Sequence, residues 1–88
     1  MAHKLKQDIS IGVNLRKHRI SMKLSQKAVA VMLQTQGLDI HEKIISQMEL
    51  GQYSIRISVL LALSELYKTP VQDFFTDIER YELLNVEK

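Results

Sequence analysis

The stretch that most constrains the fold is residues 24–51, LSQKAVAVMLQTQGLDIHEKIISQMELG, which has the pattern of two short helices joined by a turn. The first helix is predicted to begin after Ser25, whose hydroxyl can accept a hydrogen bond from an amide of the first turn. Its apolar residues Val29, Ala30 and Leu33 recur at helical spacing. We therefore expect the rest of the chain to support and present this helix pair.

The second helix of the pair carries the polar side chains that face outward. Asp39, with Glu42 three residues later, has the capping-box pattern and predicts a helix start at Asp39. Gly51 predicts its end, because a left-handed residue commonly follows a helix. Ile45 and Met48 are predicted to face inward, and the polar positions face water or a partner: Glu42, Lys43, Ser46 and Gln47.

Three further helices are predicted around this pair. The first covers about residues 9–22, with an apolar stripe formed by Ile11, Leu15, His18 and Met22. Residues 52–56 form a polar connector, and a helix follows over about 57–67, with Ile57, Leu60, Leu63 and Leu66 or Tyr67 inward. Thr69 before Pro70 predicts a short helix over about 70–75, which brings into the core Val71, Phe74 and Phe75.

The two ends of the chain leave alternatives open. Residues 1–8 form a basic arm that either tracks a phosphate backbone or is disordered. Residues 76–88 have the pattern of one more helix, with Ile78, Tyr81 and Leu84 or Asn85 on one face. This segment is a candidate dimer contact, with packing on its own domain or fraying as the alternatives. No alternating strand pattern is present, so the sequence predicts an all-α fold.

Composition limits the classes of protein to consider. Eighty-eight residues form one domain, and the chain has no cysteine for disulfides or a cysteine zinc site. The three histidines lack metal-ligand spacing, and no nucleophile–base pattern or glycine-rich phosphate loop is present. We therefore expect that the protein is not an enzyme and uses no cofactor. No apolar run approaches the roughly 20 residues of a membrane span and no signal-peptide pattern opens the chain, so we expect a soluble, cytoplasmic protein.

Charge is distributed unevenly along the chain. Residues 1–36 contain seven lysines or arginines and one aspartate, whereas residues 37–88 contain five basic and nine acidic side chains. This asymmetry indicates one face suited to a polyanion. The alternative is a solvated helix face that happens to be basic.

Four segments, in order and at the right distances, resemble one known family. They are IGVNLRKHR (11–19), LSQKAVA (24–30), IISQMELG (44–51) and the apolar spacing over 57–74. Together residues 9–75 resemble the lambda-repressor-like, or XRE, helix-turn-helix regulators of bacteria and phages. The resemblance implies a five-helix all-α domain, with a possible extra C-terminal helix, that binds double-stranded DNA as a homodimer. Any small-molecule effector is left unspecified.

The chain departs from the family pattern at two places. The connection QTQGLD is longer than the usual turn, and Gly37 supplies a flexible or positive-φ point within it. Ile55 stands where a proline is usual, and Gln52 and Tyr53 stand where basic residues are common, which removes phosphate-binding charge.

The resemblance also implies roles for individual residues. In this family the second helix of the pair lies in the major groove. Its base-reading positions match Glu42, Lys43 and Gln47. Phosphate-contacting positions match Ser25, Gln26, Lys27, Arg16, His41 and Arg56. Arg19 and Glu49 resemble a family ion pair joining the first and third helices. For Glu42 the alternative is a capping role alone.

A second function remains open from the sequence. The same fold can serve as a protein-interaction module, either antitoxin-like or a regulatory partner subunit. Such a module would work through its acidic second half and would bind DNA weakly or not at all. Salt-dependent binding to duplex DNA, and its loss on substitution of Lys43 and Gln47, would separate the two functions.

Overall fold

The computed structural model describes residues 9–76, which contain four α-helices, one 3₁₀ helix and no strand. The α-helices are α1 (Gly12–Ser21), α2 (Gln26–Thr35), α3 (Glu42–Glu49) and α4 (Ile57–Leu66), and the 3₁₀ helix is Val71–Phe75. The all-α prediction is therefore confirmed, although the fifth helix is 3₁₀ rather than α. The predicted basic arm 1–8 and, apart from Thr76, the predicted tail 76–88 lie outside the described residues.

A single apolar core joins all five elements. Helix α3 packs against both α1 and α2, and the 3₁₀ helix packs against α1 and α4. Each element contributes at least one almost fully buried side chain, among them Leu15, Leu33, Ile45, Leu63 and Phe74. Burial of each such side chain contributes about 1.5–3 kcal/mol, so the core fixes where α3 lies relative to its neighbours.

The predicted helix start at Ser25 and the two glycine positions are confirmed. Ser25 Oγ accepts a hydrogen bond from the amide of Ala28 at 3.0 Å. Gly37 and Gly51 have φ angles of +87° and +76° and lie just beyond the ends of α2 and α3. Lys23 and Lys68 hold the same left-handed position after α1 and α4, with φ of 59° and 51°.

All four α-helices end in the same hydrogen-bonded motif. The amide two residues past each C-cap returns to a carbonyl in the last turn, through the bonds Leu24–Arg19, Leu38–Leu33, Gln52–Gln47 and Thr69–Ser64. This is the Schellman pattern, which satisfies carbonyl groups that a helix end leaves without partners. Each helix thus ends at a defined residue and turns sharply toward the next element.

The starts of two helices differ from the sequence predictions. Helix α1 begins at Gly12 rather than near Ile9, and Ser10 Oγ, ahead of the helix, accepts a hydrogen bond from the Gly12 amide. The prediction that a capping box starts this helix at Asp39 is wrong. Helix α3 begins at Glu42, and its N-cap residue is His41, in an extended conformation. Because Ile40 is buried, the chain must run inward before the helix can start.

Helix α2 also continues to Thr35, so the connection between α2 and α3 consists of residues 36–41 rather than beginning at Gln34.

Three apolar side chains are placed differently from their predictions. Ile57 is exposed, because α4 packs through Val59, Leu60, Ala62 and Leu63 and its first turn extends past the core. Phe75 is also exposed, since the 3₁₀ helix has three residues per turn and turns Val71 and Phe74 to the same side. Ile55, within the predicted polar connector, is buried and belongs to the core.

Gly12 allows α1 to approach α3 unusually closely. A methyl group at this position would overlap the backbone carbonyl oxygens of Met48 and Glu49. Only glycine therefore fits where the first turn of α1 meets the last turn of α3. Separately, none of the helices within residues 9–76 is long and apolar enough to cross a membrane.

Candidate nucleic-acid interface

The outer face of α3 presents the side chains predicted to read bases. Ile45 and Met48 are buried, which turns the opposite side of the helix outward. On that side Lys43 is exposed and Gln47 is half-buried. Glu42 is also exposed, at the first turn of the helix, but it lies three residues before the buried Ile45 and therefore on the flank of the inward side. Lys43 and Gln47 lie four residues apart and therefore neighbour each other on one face, one turn apart.

Arg19 and Glu49 form a bidentate salt bridge between α1 and the end of α3. Arg19 Nε lies 2.7 Å from Glu49 Oε2, and the second guanidinium nitrogen lies 3.1 Å from Oε1. Arg19 also donates to the Leu24 carbonyl at 2.8 Å. The two residues are only 9% and 8% exposed. This arrangement locks the last turn of α3 to α1 and to the turn before α2.

The environment of this pair alters two pKa values. The hydrogen bond from Arg19 to Glu49 raises the pKa of Arg19 further above its usual value, although burial opposes the rise. Burial raises the pKa of the nearby Tyr67 hydroxyl, and the negative charge of Glu49 adds to that rise. Arg19 therefore stays charged, and Tyr67 stays neutral well above neutral pH.

Gln26 connects the start of α2 to the same pair. Its Nε2 donates to Glu49 Oε1 at 3.0 Å, so the N-terminus of α2 lies beside the C-terminus of α3. Ser25 Oγ accepts the Ala28 amide, which leaves its hydroxyl proton available to donate. Two of the predicted phosphate contacts are thus also structural groups of the helix pair.

The other predicted phosphate contacts lie on separate elements. Arg16 on α1 and Lys27 on α2 are exposed, and Arg56 is the half-buried N-cap residue of α4. The hydrogen bonds and ion pairs described for residues 9–76 join none of these three to α3. His41, by contrast, precedes α3 directly and contacts two neighbouring side chains.

Sequence reasoning missed Gln34, which lies in the last turn of α2. Its Nε2 donates to the Ile40 carbonyl at 2.9 Å and lies 3.3 Å from His41 Nδ1. On the other side of the ring, His41 Nε2 lies 3.1 Å from Asp39 Oδ1. A glutamine on an exposed helical position carries no periodicity signal, so only the folded connection reveals this contact.

These features define a helix-turn-helix domain: a short helix pair, mounted on a supporting helix, with the polar face of the second helix turned outward. The helix-turn-helix family profile matches residues 15–74. The chain belongs to this family, in its XRE, lambda-repressor-like form.

One solved structure that this chain resembles is the crystal structure of the DNA-binding domain of BldD. The two share 24% sequence identity with a TM-score of 0.61, and the match covers 84% of this chain and 97% of that chain. At this identity the likeness concerns the fold. No curated protein matches the sequence.

Proposed function

We propose that this protein is a DNA-binding transcriptional regulator that recognises a specific duplex sequence through α3. The observation that carries the proposal is the outward polar face of α3, held rigidly by the buried Arg19–Glu49 pair. Membership of the helix-turn-helix family supports it, as does the fold shared with a domain described as DNA-binding. In such domains the second helix of the pair enters the major groove.

The chemistry of the face suggests which base edges it reads. Lys43 can donate to guanine O6 and N7, Gln47 can pair with adenine N6 and N7, and Glu42 can accept from cytosine N4. Because Lys43 and Gln47 lie one turn apart on the same face, they can reach neighbouring base pairs, whereas Glu42 would approach the duplex from the first turn of the helix.

Phosphate contacts would fix the protein on the duplex without reading sequence. The proposed set is the one from the family pattern: Ser25, Gln26, Lys27, Arg16, His41 and Arg56. Lys27 and Arg16 are the simplest of these, since both are exposed cations outside the described ion pairs. His41 would have to exchange its contact with Asp39 for a phosphate.

The deciding experiment begins with selection of genomic duplexes at a fixed, stated salt concentration, followed by sequencing. Lys43→Ala and Gln47→Ala should then each weaken binding to the selected site by about 1–3 kcal/mol and relax specificity at one base position. Lys17→Ala and Gln72→Ala are matched controls, because both side chains are exposed and lie outside α3. Lys27→Ala should instead weaken binding to all duplexes alike.

A second candidate, a protein-interaction module, is favoured by one specific observation. The start of α3 carries two exposed carboxylates, Asp39 and Glu42, beside the single cation Lys43. Carboxylates at this point repel phosphate and would suit a basic protein surface. Failure to enrich any sequence, even at low salt, would reject DNA recognition in favour of this module.

A further inference from the structure

Three polar side chains in and beside the connection between α2 and α3 contact one another. The DNA contacts proposed above do not explain these contacts. Gln34 Nε2 lies 2.9 Å from the Ile40 carbonyl oxygen and 3.3 Å from His41 Nδ1. His41 Nε2 lies 3.1 Å from Asp39 Oδ1. We call Gln34, Asp39 and His41 the connection cluster.

One arrangement of protons satisfies the contacts of the cluster. A carbonyl oxygen can only accept, so the Gln34 atom beside the Ile40 carbonyl must be the amide nitrogen. That nitrogen carries two hydrogens and also faces His41 Nδ1, which accepts from it only in the neutral tautomer that has its proton on Nε2. In that tautomer Nε2 donates to Asp39 Oδ1, so one neutral form of the ring satisfies both contacts.

The cluster acts on the backbone just ahead of α3. The His41 side chain does not cap the helix, although the His41 carbonyl accepts the first helical amides, those of Ile44 and Ile45. Gln34 instead fixes the Ile40 carbonyl, two residues before Glu42. This bond thus ties the backbone just before α3 to the last turn of α2, across a connection longer than the usual turn of the family.

We propose that Gln34 and His41 are positioning residues for base recognition, and that they act only while His41 is neutral. The inference rests on the proposed DNA-binding function. A proton on Nδ1 would set an N–H donor against the N–H donor of Gln34, so the two groups would separate. The charged groups around the ring are the Asp39 carboxylate, and Glu42 and Lys43 at the start of α3, all three exposed.

This role has a pH signature that a phosphate contact would not produce. A protonated His41 would add a positive charge that attracts any duplex, yet it would lose its contact with Gln34 and so weaken the support of α3 in base recognition. The ratio of specific to non-specific affinity should fall when the pH is lowered from about 8 to about 5.5. A purely phosphate-contacting histidine would strengthen binding to every duplex by the same factor.

The test compares Gln34→Ala with Gln36→Ala, whose side chain is exposed in the same connection and takes no part in the cluster. Binding to the selected site and to a scrambled duplex is measured at about pH 8 and about pH 5.5, at constant salt, together with the melting temperature. At the higher pH, Gln34→Ala should lose about fivefold in specific affinity, as expected for one net hydrogen bond. Non-specific affinity should stay unchanged, and Gln36→Ala should match the unaltered protein.

His41→Asn provides the conservative rescue. The asparagine Oδ1 can accept from Gln34 near the position of Nδ1 but cannot be protonated in this pH range. This variant should therefore keep its specificity ratio at the lower pH, whereas the unaltered protein loses part of it. A merely structural role would change the melting temperature without changing how the ratio depends on pH.

The remaining outcomes separate this inference from the proposed function. If the protein selects a site but Gln34→Ala keeps the ratio, the positioning role is wrong and DNA recognition stands. If affinities for both duplexes rise together at low pH, His41 is a phosphate contact and the positioning role is again wrong.

If no site is selected, the cluster is tested in the free protein by the NMR amide shifts of Glu42 and Lys43. These shifts should move with Gln34→Ala and with pH between about 8 and 5.5, and unmoved shifts would overturn the inference.

Discussion

At the scale of single residues, Arg19 and Glu49 fix the geometry of the helix pair more than any other contact described. Each is almost fully buried, and their charges are matched by two direct hydrogen bonds, the Leu24 carbonyl and the Gln26 amide. Burying both charges costs solvation energy, so the net contribution of the pair to stability is small. The cost becomes large when one partner is removed and the other charge stays buried.

We expect Glu49→Ala to lower the free energy of unfolding by about 3–5 kcal/mol, because it leaves the Arg19 guanidinium buried without its counter-charge. Chemical denaturation of the purified variant measures this loss. Glu65→Ala is the control, since Glu65 is exposed, and should change stability by less than about 0.5 kcal/mol. An unchanged melting temperature for Glu49→Ala would show that the pair does not hold α3.

Tyr67 gives a second prediction at this scale, through pH. Burial raises its pKa in the folded state above the value of about 10 in the unfolded chain. Its stabilising contribution is therefore present below about pH 10 and is lost as the pH rises toward the folded pKa. Melting temperatures from pH 8 to 11 should fall less steeply for Tyr67→Phe than for the unaltered protein. Tyr53→Phe, at a half-buried position, should keep the steeper fall.

At the scale of elements, the helix ends and starts differ in how far the sequence predicts them. Ser25, Gly37 and Gly51 act locally, through a cap or a left-handed φ, and the sequence predicts their roles correctly. It does not predict the start of α3, because the Asp39 pattern competes with the burial of Ile40, a tertiary effect. Gln34 could not be found for the same reason, since its partners are set by the folded connection.

Lys68→Gly is expected to stabilise the protein. Lys68 follows α4 with a φ of 51°, a conformation that costs a residue with a Cβ about 1–2 kcal/mol. Glycine removes that strain, partly offset by its freedom in the unfolded state, for a gain of about 0.5–1 kcal/mol. The same change inside α1, Lys17→Gly, should instead destabilise by about 1 kcal/mol. The melting temperatures of the two variants should therefore shift in opposite directions. A lower melting temperature for Lys68→Gly would show that the backbone at this position is not strained.

At the scale of the whole molecule, the core explains how α3 is held against its neighbours but not which DNA sequence it would recognise under the proposed function. The apolar periodicity of Val29, Ala30 and Leu33 was enough to predict the packed face of α2. The inward positions of α3, Ile45 and Met48, are predicted from helical spacing in the same way, and the remaining positions of that helix are then predicted to face outward. The bases that Glu42, Lys43 and Gln47 would meet under the proposed function depend on docking geometry, and an isolated sequence contains no information about that.

The proposed DNA-binding function predicts a homodimer, because one recognition helix would read only a few base pairs and two copies would multiply specificity. Sedimentation with the selected duplex should give two chains per site, with half-sites about one helical turn apart. A duplex with only one half-site should bind more weakly. One chain per site, with no change on removing a half-site, would indicate a monomeric reader.

The close approach at Gly12 has a consequence for sequence tolerance. Since the carbonyl oxygens of Met48 and Glu49 occupy the space of a side chain there, no rotamer choice can relieve the overlap. In a saturation-mutagenesis library sorted for folded protein, position 12 should retain glycine alone. The adjacent Val13, which is 67% exposed, should accept almost any residue, so the sharpest boundary in the tolerance map should fall between two consecutive codons.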